Sequence, residues 1–385
     1  MKTIHNILPH MDNVIIRVDW NVPMHGVNIV DNSRILETIP TIMDVLQAGK
    51  HVTVLTHLGR PKATFEAEYS LKLLLPELAT IFQRPINFVE TLDELGNQWN
   101  HPLSLFENIR FFPGEETNDS TFATQLAKNA DVFVNDAFSV SHRAHASVEG
   151  ITHHLPHCAG LLMERELNNL IRFNENYEQP LMAICGGAKI STKIDFIQSM
   201  LTKAKTIVLV GGLANTFLKA QGHNIGLSLV ENGALTLAKD IMDQAKRVGC
   251  MLWIPDHVRV GKNLDDTPTD KSIHDIDCDE RILDIAPKSL DSLISTLSLA
   301  KTVIWNGALG VFETLQWSDG TFRLAKELGR LTQLNHVQTL VGGGETVLAL
   351  RQTHTFNQFT YVSLAGGAFM EFMEGKSLPG IIPLL

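Results

Sequence analysis

Short runs of Val, Ile and Leu recur along the chain between longer stretches in which apolar residues return at helical spacing. The first pattern is that of a strand buried on both faces, and the second is that of a helix lying on a core. Their alternation predicts repeated β-α units, a parallel sheet and an α/β fold class. In the first half the predicted strands are Asn13 to Val18, His51 to Leu55, Ile86 to Val89 and Val132 to Val134, with helices at Ser70 to Phe82 and Thr121 to Lys128. In the second half they are Leu181 to Cys185, Thr206 to Val210, Met251 to Ile254, Thr302 to Trp305, Thr339 to Val341 and Thr360 to Ser363.

Between the halves, Glu166 to Phe173 places Leu167, Leu170 and Ile171 on one helical face, and the polar stretch Asn174 to Gln179 leads into a new strand. A helix followed by a polar elbow predicts a hinge there, with a first domain over 1–173 and a second over 174–371. The length of 385 residues agrees, because it exceeds what one hydrophobic core usually supports.

The formal net charge of −10 and the lack of a basic run exclude a nucleic-acid binder. Any anionic ligand must then be met by local arginines. Cys158, Cys185, Cys250 and Cys278 lie far apart with no C-x-x-C pair, which fits free thiols in a reducing compartment better than disulfides or zinc. No stretch approaches the roughly 18 apolar residues of a membrane helix, and Met1 to Leu8 lacks the apolar core of a signal segment. A cytoplasmic protein is expected, and a monomer, since no long apolar surface stripe asks for a partner.

Candidate chemistry sits just after the strands, where open α/β sheets bind ligands. In the first half such positions carry Asp19, Asn21, His57, Arg60 and Arg143, and with Arg34 and Arg110 these form one constellation. Arginine forks suit bidentate contacts to phosphate or carboxylate. Arg60 lies between Gly59 and Pro61, and Arg143 between two histidines, positions that packing alone does not explain. In the second half the strand ends carry glycine instead: Gly186 and Gly187, Gly211 and Gly212, Asn306 and Gly307, and Gly342 to Gly344. Glycines let backbone N–H groups approach a nucleotide phosphate. Lys189 and Lys193, four apart, are expected at the start of one helix, both facing a phosphate at its N-terminus. The string GGAKIST lacks the spacing of a P-loop. Glu345 follows the last glycine run, where a magnesium ion bridging phosphates would find a carboxylate, Thr346 adds a hydroxyl, and Glu313 is a candidate for a ribose hydroxyl.

Taken in order, these residues resemble the phosphoglycerate kinase family over essentially the whole chain. RVDWNVP (Arg17 to Pro23), THLGRP (Thr56 to Pro61), LFENIRF (Leu105 to Phe111) and NDAFSVSHRAHAS (Asn135 to Ser147) resemble its substrate-side motifs. GGAKISTK (Gly186 to Lys193), GGLANTF (Gly211 to Phe217), WNGALGVFE (Trp305 to Glu313), GGGET (Gly342 to Thr346) and EGKSLPG (Glu374 to Gly380) resemble its nucleotide side and closing segment. The resemblance implies two Rossmann-like three-layer αβα domains with mostly parallel sheets joined by a hinge, the tail 372–385 completing the first. It implies 3-phosphoglycerate bound by Asp19, Asn21, Arg34, His57, Arg60, Arg110 and Arg143. It also implies ATP or ADP at Lys193, Gly211, Gly212, Asn306, Glu313, Gly343, Gly344, Glu345 and Thr346, magnesium at Glu345, and Lys189 with Arg34 near the transferred phosphoryl group.

The chain departs from the family pattern at Glu345 for aspartate, Ala308 and Leu309 for Pro and Met, Ala286 for glycine, Leu364 and Ala365 for Thr and Gly, Ser139 for glycine and Trp20 for Phe. The expected activity is reversible phosphoryl transfer from 1,3-bisphosphoglycerate to ADP, in glycolysis and gluconeogenesis. A dinucleotide-dependent dehydrogenase would need G-x-G-x-x-G opening a helix and an acidic residue about 20 positions on, which the glycine clusters do not supply. A regulatory module without activity is opposed by the presence of Arg34, Lys189 and Lys193.

Overall fold

Contacts along the chain fall into two units, Met1–Asn168 with Ser377–Leu385, and Asn169–Lys376. The structure, a computed structural model, describes residues 2–7, 11–334 and 336–385.

The first unit contains β1 (Asn13–Arg17), the small hairpin β2 (Met24–His25) and β3 (Asn28–Ile29), β4 (His51–Leu55), β5 (Asn87–Val89), β6 (Leu103–Phe106), β7 (Val132–Asn135) and β8 (His157–Ala159). Its helices are α1 (Ile4–Ile7), α2 (Ser33–Gln47), α3 (Leu75–Phe82) and α4 (Ser120–Leu126), and the division between units falls within α5 (Leu161–Glu175). Six strands form one parallel sheet in the order β5-β6-β4-β1-β7-β8. Alternation along β1 shows how both faces are covered. Val14 and Ile16 pack with Ile35 and Val45 of α2, whereas Ile15 packs with Phe122 and Leu126 of α4. The tail is stitched to this sheet, since Asn135 Nδ2 donates to Gly380 O at 2.9 Å and Gly380 N donates to Ser141 O at 2.9 Å.

The second unit contains β9 (Leu181–Cys185), β10 (Thr206–Leu209), β11 (Met251–Trp253), β12 (His257–Gly261), β13 (Thr269–Ser272), β14 (Arg281–Ile285), β15 (Thr302–Asn306), β16 (Gln338–Gly342) and β17 (Tyr361–Ser363). Its helices are α6 (Ile194–Leu201), α7 (Gly211–Ala220), α8 (Leu235–Val248), α9 (Pro287–Leu297), α10 (Asp319–Gln333), α11 (Gly344–Gln352) and α12 (Gly367–Met373). A second parallel sheet runs β11-β10-β9-β15-β16-β17, and β13-β12-β14 make a separate antiparallel sheet. Met182, Ile184, Val303 and Trp305 pack against Leu290 and Leu293 of α9 and Leu324 and Leu328 of α10. Ala183, Ile207 and Leu209, on the alternate positions, are equally buried, so helices cover both faces.

The α/β reading with mainly parallel sheets therefore holds. Several elements differ from the sequence expectation. The helix expected from Ser70 is a 3-10 turn over Leu71–Leu74 followed by α3, because Pro76 has no N–H to continue an α-helical ladder back to Lys72. Strands β6 and β8, the β2–β3 hairpin and the antiparallel sheet were not expected. All four cysteines are free, with only Cys278 exposed. Among the described residues no helix is long and apolar enough to cross a membrane.

Candidate functional site

In the first unit the sheet order changes direction around β1, which lies between β4 and β7, and the residues following those strands converge. Asp19, two residues beyond β1, is buried. One oxygen, Oδ2, is paired with Arg34 from the first turn of α2 and also accepts from the Ser139 hydroxyl. The other, Oδ1, accepts from Asn21 N at 3.2 Å and lies 3.8 Å from His57 Nδ1. Asn21 in turn accepts from Gly59 N at 2.9 Å, tying the loop after β1 to the loop after β4, where Gly59 has φ +65. A side chain there would strike Tyr69, which is why glycine is required before Arg60.

Arg110 stands on a 3-10 turn whose start is set by Asn108. That amide accepts from Arg110 N at 3.1 Å and donates to Leu58 O at 2.7 Å and Tyr69 O at 2.9 Å. Arg110 Nη1 donates to Gly59 O at 2.7 Å, and its Nε lies 3.6 Å from Glu116. Arg143 Nε donates to His142 Nε2 at 3.2 Å. Arg60 is exposed and makes no hydrogen bond or ion pair with the described residues, so its guanidinium is available to a ligand.

The cluster's electrostatics follow from burial. Desolvation holds His57 well below the ordinary histidine value against the pull of Asp19, so its imidazole is neutral near pH 7. Burial would raise Asp19, but His57, Arg34, the Ser139 hydroxyl and Arg17 together leave it below the ordinary carboxylate range. With His57 neutral near pH 7, the groups that carry a full charge against Asp19 there are Arg34, in direct contact, and Arg17. Burial also lowers Arg110, helped by the nearby charge of Arg143. A set of mutually repelling guanidiniums beside one carboxylate is a site waiting for anionic oxygens.

Beneath this cluster lies a buried layer that the sequence reading missed. Arg17 is almost fully buried, with Nε donating to Ser147 Oγ at 2.9 Å and Nη2 3.4 Å from His57 Nδ1. Burial lowers it to about 10, opposed by Glu115 and Asp19, so it stays cationic at neutral pH. Glu115 completes the layer by accepting from Ser147 N at 2.9 Å and Ser147 Oγ at 2.7 Å. The available signal was an arginine at the end of a wholly apolar run, which demands buried partners.

In the second unit the order changes between β9 and β15, and there the glycines meet. A Cβ on Gly186 would stand 2.1 Å from Ala308 O, and one on Gly307 would stand 2.3 Å from Gly186 O, so the two strand ends touch backbone to backbone. Gly343, at φ +96, likewise leaves no room beside Asn306. Asn306 Nδ2 donates to Gly342 O at 2.8 Å, its Oδ1 accepts from Lys193, and Gly307 N donates to Thr346 Oγ1 at 2.8 Å. Asn306 and Thr346 are thus buried struts of the glycine loops. Gly211 and Gly344 open α7 and α11, presenting free N–H groups.

Beside these loops is a cavity of about 220 Å3. Its rim carries Gly187, Gly211, Gly212, Glu313 and Glu345, and its walls include Leu229, Val258, Leu283 and Leu309. The apolar walls from β12 and β14 were invisible in the sequence, where they read as ordinary core. Lys193, Asn306, Gly343, Gly344 and Thr346 do not line it but stand at the ends of β15 and β16 side by side with the starts of α6 and α11. Burial lowers Lys193, against the attraction of Cys185, Glu345 and Glu374.

One expectation is corrected. Lys189 and Lys193 do not share a helix start, because α6 begins only at Ile194. Lys193 is its N-cap residue and Lys189 lies in the preceding bend, closed by Lys193 N to Ile190 O at 2.9 Å and Thr192 Oγ1 to Lys189 O at 2.9 Å. Gly187 at φ +119 turns the chain before a helix can form.

Among the described residues, no three His, Cys, Asp or Glu side chains gather to hold a metal alone. Glu345 is an exposed carboxylate on the cavity rim in the first turn of α11, without an internal hydrogen bond. That fits magnesium, which takes one or two carboxylates and completes its shell with phosphate oxygens and water.

Two doubly wound units, one ending in clustered cations and the other in glycine loops beside a cavity, are the build of a two-domain α/β kinase. The sequence profile described as phosphoglycerate kinase matches residues 4–376. The phosphoglycerate kinase of Jannaschia sp. (strain CCS1) is 42% identical over 379 residues, covering 96% of this chain and 95% of that protein. That of Zymomonas mobilis subsp. mobilis (strain ATCC 31821 / ZM4 / CP4) is 40% identical over 379 residues, with 96% and 95% covered. The solved phosphoglycerate kinase from Coxiella burnetii superimposes with a TM-score of 0.91 at 37% identity, covering 99% of this chain and 98% of that one. The chain belongs to the phosphoglycerate kinase family. It is a phosphotransferase with a carboxyl group as acceptor, and the glycolytic exchange between 1,3-bisphosphoglycerate with ADP and 3-phosphoglycerate with ATP is the reaction of its family.

Proposed function

We propose that Asp19, Asn21, Arg34, His57, Arg60, Arg110 and Arg143 bind 3-phosphoglycerate and that the glycine-lined cavity, with Lys193, Glu313 and the segment Gly343 to Thr346 at the start of α11, takes ATP or ADP. The pairing of Arg34 with Asp19, and the closeness of Arg17, Arg34 and Arg110 to His57, carry this reading. A substrate with a phosphate at one end and a carboxylate at the other suits several forked cations. Asp19, the anion among them, is left to meet the substrate's hydroxyl group.

The acceptor carboxylate is ionised at neutral pH, so no general base is needed. The work left to the chain is to align two anions and to stabilise charge on the transferred phosphoryl oxygens. Arg34 and Lys189 supply that stabilisation, and Lys193, held by Asn306, fixes the nucleotide phosphates. Glu345 holds magnesium, which neutralises phosphate charge when bound. The two ligands belong to different units, so in-line transfer requires a closing movement about the hinge. We further propose a cytoplasmic monomer.

The test is a coupled assay with 3-phosphoglycerate and Mg-ATP, following NADH oxidation through added glyceraldehyde-3-phosphate dehydrogenase. Turnover that disappears on removing 3-phosphoglycerate is expected. Absence of turnover, with both ligands shown to bind, contradicts the assignment.

A further inference from the structure

Position 139, where the family pattern has glycine, lies in the 3-10 turn Phe138–Val140 after β7. Ser139 does not occupy the left-handed region, so no glycine-only backbone is strained by the change. What the serine adds is a donor. Its hydroxyl donates to Asp19 Oδ2, the oxygen that Arg34 also holds.

Each oxygen of Asp19 is thereby served twice or nearly so: Oδ1 by Asn21 N at 3.2 Å with His57 at 3.8 Å, and Oδ2 by Arg34 and Ser139. If Arg34 turns from Asp19 to the transferred phosphoryl group, the buried oxygen Oδ2 loses the charged one of its two hydrogen-bond donors. An unsatisfied buried acceptor is costly, and that cost falls on the step in which Arg34 moves. We infer that Ser139 is a positioning residue for Arg34: by holding Asp19 Oδ2 it frees the guanidinium to leave that oxygen for the phosphoryl group. With glycine at 139 no side-chain donor takes over. The inference rests on the reading that Arg34 acts at the phosphoryl group. It applies to this chain's own serine, not to the family's substrate contacts.

Ser139→Ala and Ser139→Gly, compared with wild type in the coupled assay, are expected to lower kcat about three- to tenfold with the KM for Mg-ATP unchanged. The hydroxyl also helps to keep Asp19 ionised beside Arg17, Arg34, His57 and the more distant Arg110, so the acid limb of kcat moves to higher pH in both variants. Ser139→Thr, which keeps the hydroxyl, restores both readouts. Thermal unfolding of each variant confirms that the fold is retained. Wild-type kcat and an unmoved acid limb in the Ala and Gly variants overturn the inference, as does a Thr variant as slow as Ala. An Arg34→Ala control separates the two levels. If it is slow while Ser139→Ala is not, only the role of Ser139 falls; if Arg34→Ala turns over like wild type, the reading beneath it falls too.

Discussion

The two units are wound on the same plan, six parallel strands with the candidate site where the strand order changes, yet on the proposed reading they meet anions by opposite means. The first uses long side chains. Its cations repel one another, so they need Asp19, Glu115 and Glu116 among them and a buried layer below to stay in place without a ligand. The second uses backbone. Its glycines pass so close that a single added methyl collides with a carbonyl, and on the proposed reading the N–H groups of Gly211, Gly212 and Gly344 at the starts of α7 and α11 meet phosphate. A side-chain site is thus tuned by charge and is sensitive to pH. A backbone site is tuned by shape and is sensitive to volume.

Arg34→Ala gives the sharpest break on the charged side. It is expected to lose about a hundredfold or more in kcat, ~3 kcal/mol of transition-state stabilisation, with far smaller change in the KM of either substrate. Steady-state kinetics read the split, and unchanged kcat removes Arg34 from the phosphoryl group. On the shape side the counterpart is Gly307→Ala, which meets Gly186 O and must also adopt φ +100. It should cost about 1–3 kcal/mol in urea unfolding, and weaken Mg-ADP binding while leaving 3-phosphoglycerate binding intact. Glu345→Gln is a milder change to the nucleotide rim. The magnesium concentration for half-maximal rate should rise roughly tenfold with the KM for 3-phosphoglycerate unaltered; an unaltered magnesium requirement places the ion elsewhere.

The smallest effects concern pH and stability, where the units contribute opposite slopes. Asp284, a buried residue in the wall of the glycine-lined cavity that accepts from Gly320 N at 2.9 Å, is pushed by burial from 3.8 up to about 7. Between those values the fold keeps a proton that the unfolded chain has released, so this group's contribution to stability falls as pH rises from about 4 to 7. His57 acts the other way. Its folded value lies well below 6.5, so the unfolded chain takes up a proton that the fold refuses, and stability is lost as pH falls below about 6.5. Asp284→Asn should therefore gain on wild type in thermal midpoint as pH rises from 4 to 8, leaving the acid-side loss in place. A constant difference across that range contradicts the burial of a neutral carboxyl.

Much of this was legible before the fold was known, and the failures have physical causes. The central strands β1, β9 and β15 are continuous apolar runs and β4 is nearly so because helices cover them on both faces, and the candidate site residues follow directly. Strands at the margins are short, such as His157–Ala159, or polar, such as Thr269–Ser272, and carry no burial signature. Lys189 and Lys193 have helical spacing, but spacing does not reveal that Gly187 bends the chain first. Arg17 was passed over because a charged residue closing an apolar run reads as the strand's end, although it is buried against Ser147 and His57. Asn306 and Thr346 were read from the sequence as candidate site positions but not as struts, since the partners that occupy them lie 36 or more residues away.

The division between side-chain and backbone recognition is most directly tested by calorimetric titration of two variants with 3-phosphoglycerate and Mg-ADP separately. Arg60 is exposed and unpaired among the described residues, so Arg60→Ala leaves the fold alone; Gly212→Ala places a methyl 3.0 Å from Ala188 O and Leu229 Cδ2 at the cavity rim without requiring a positive φ. Arg60→Ala should weaken 3-phosphoglycerate and leave Mg-ADP at wild-type affinity, and Gly212→Ala should do the reverse. Loss of the other unit's ligand in either variant, or wild-type affinity for both ligands in both, would contradict the division.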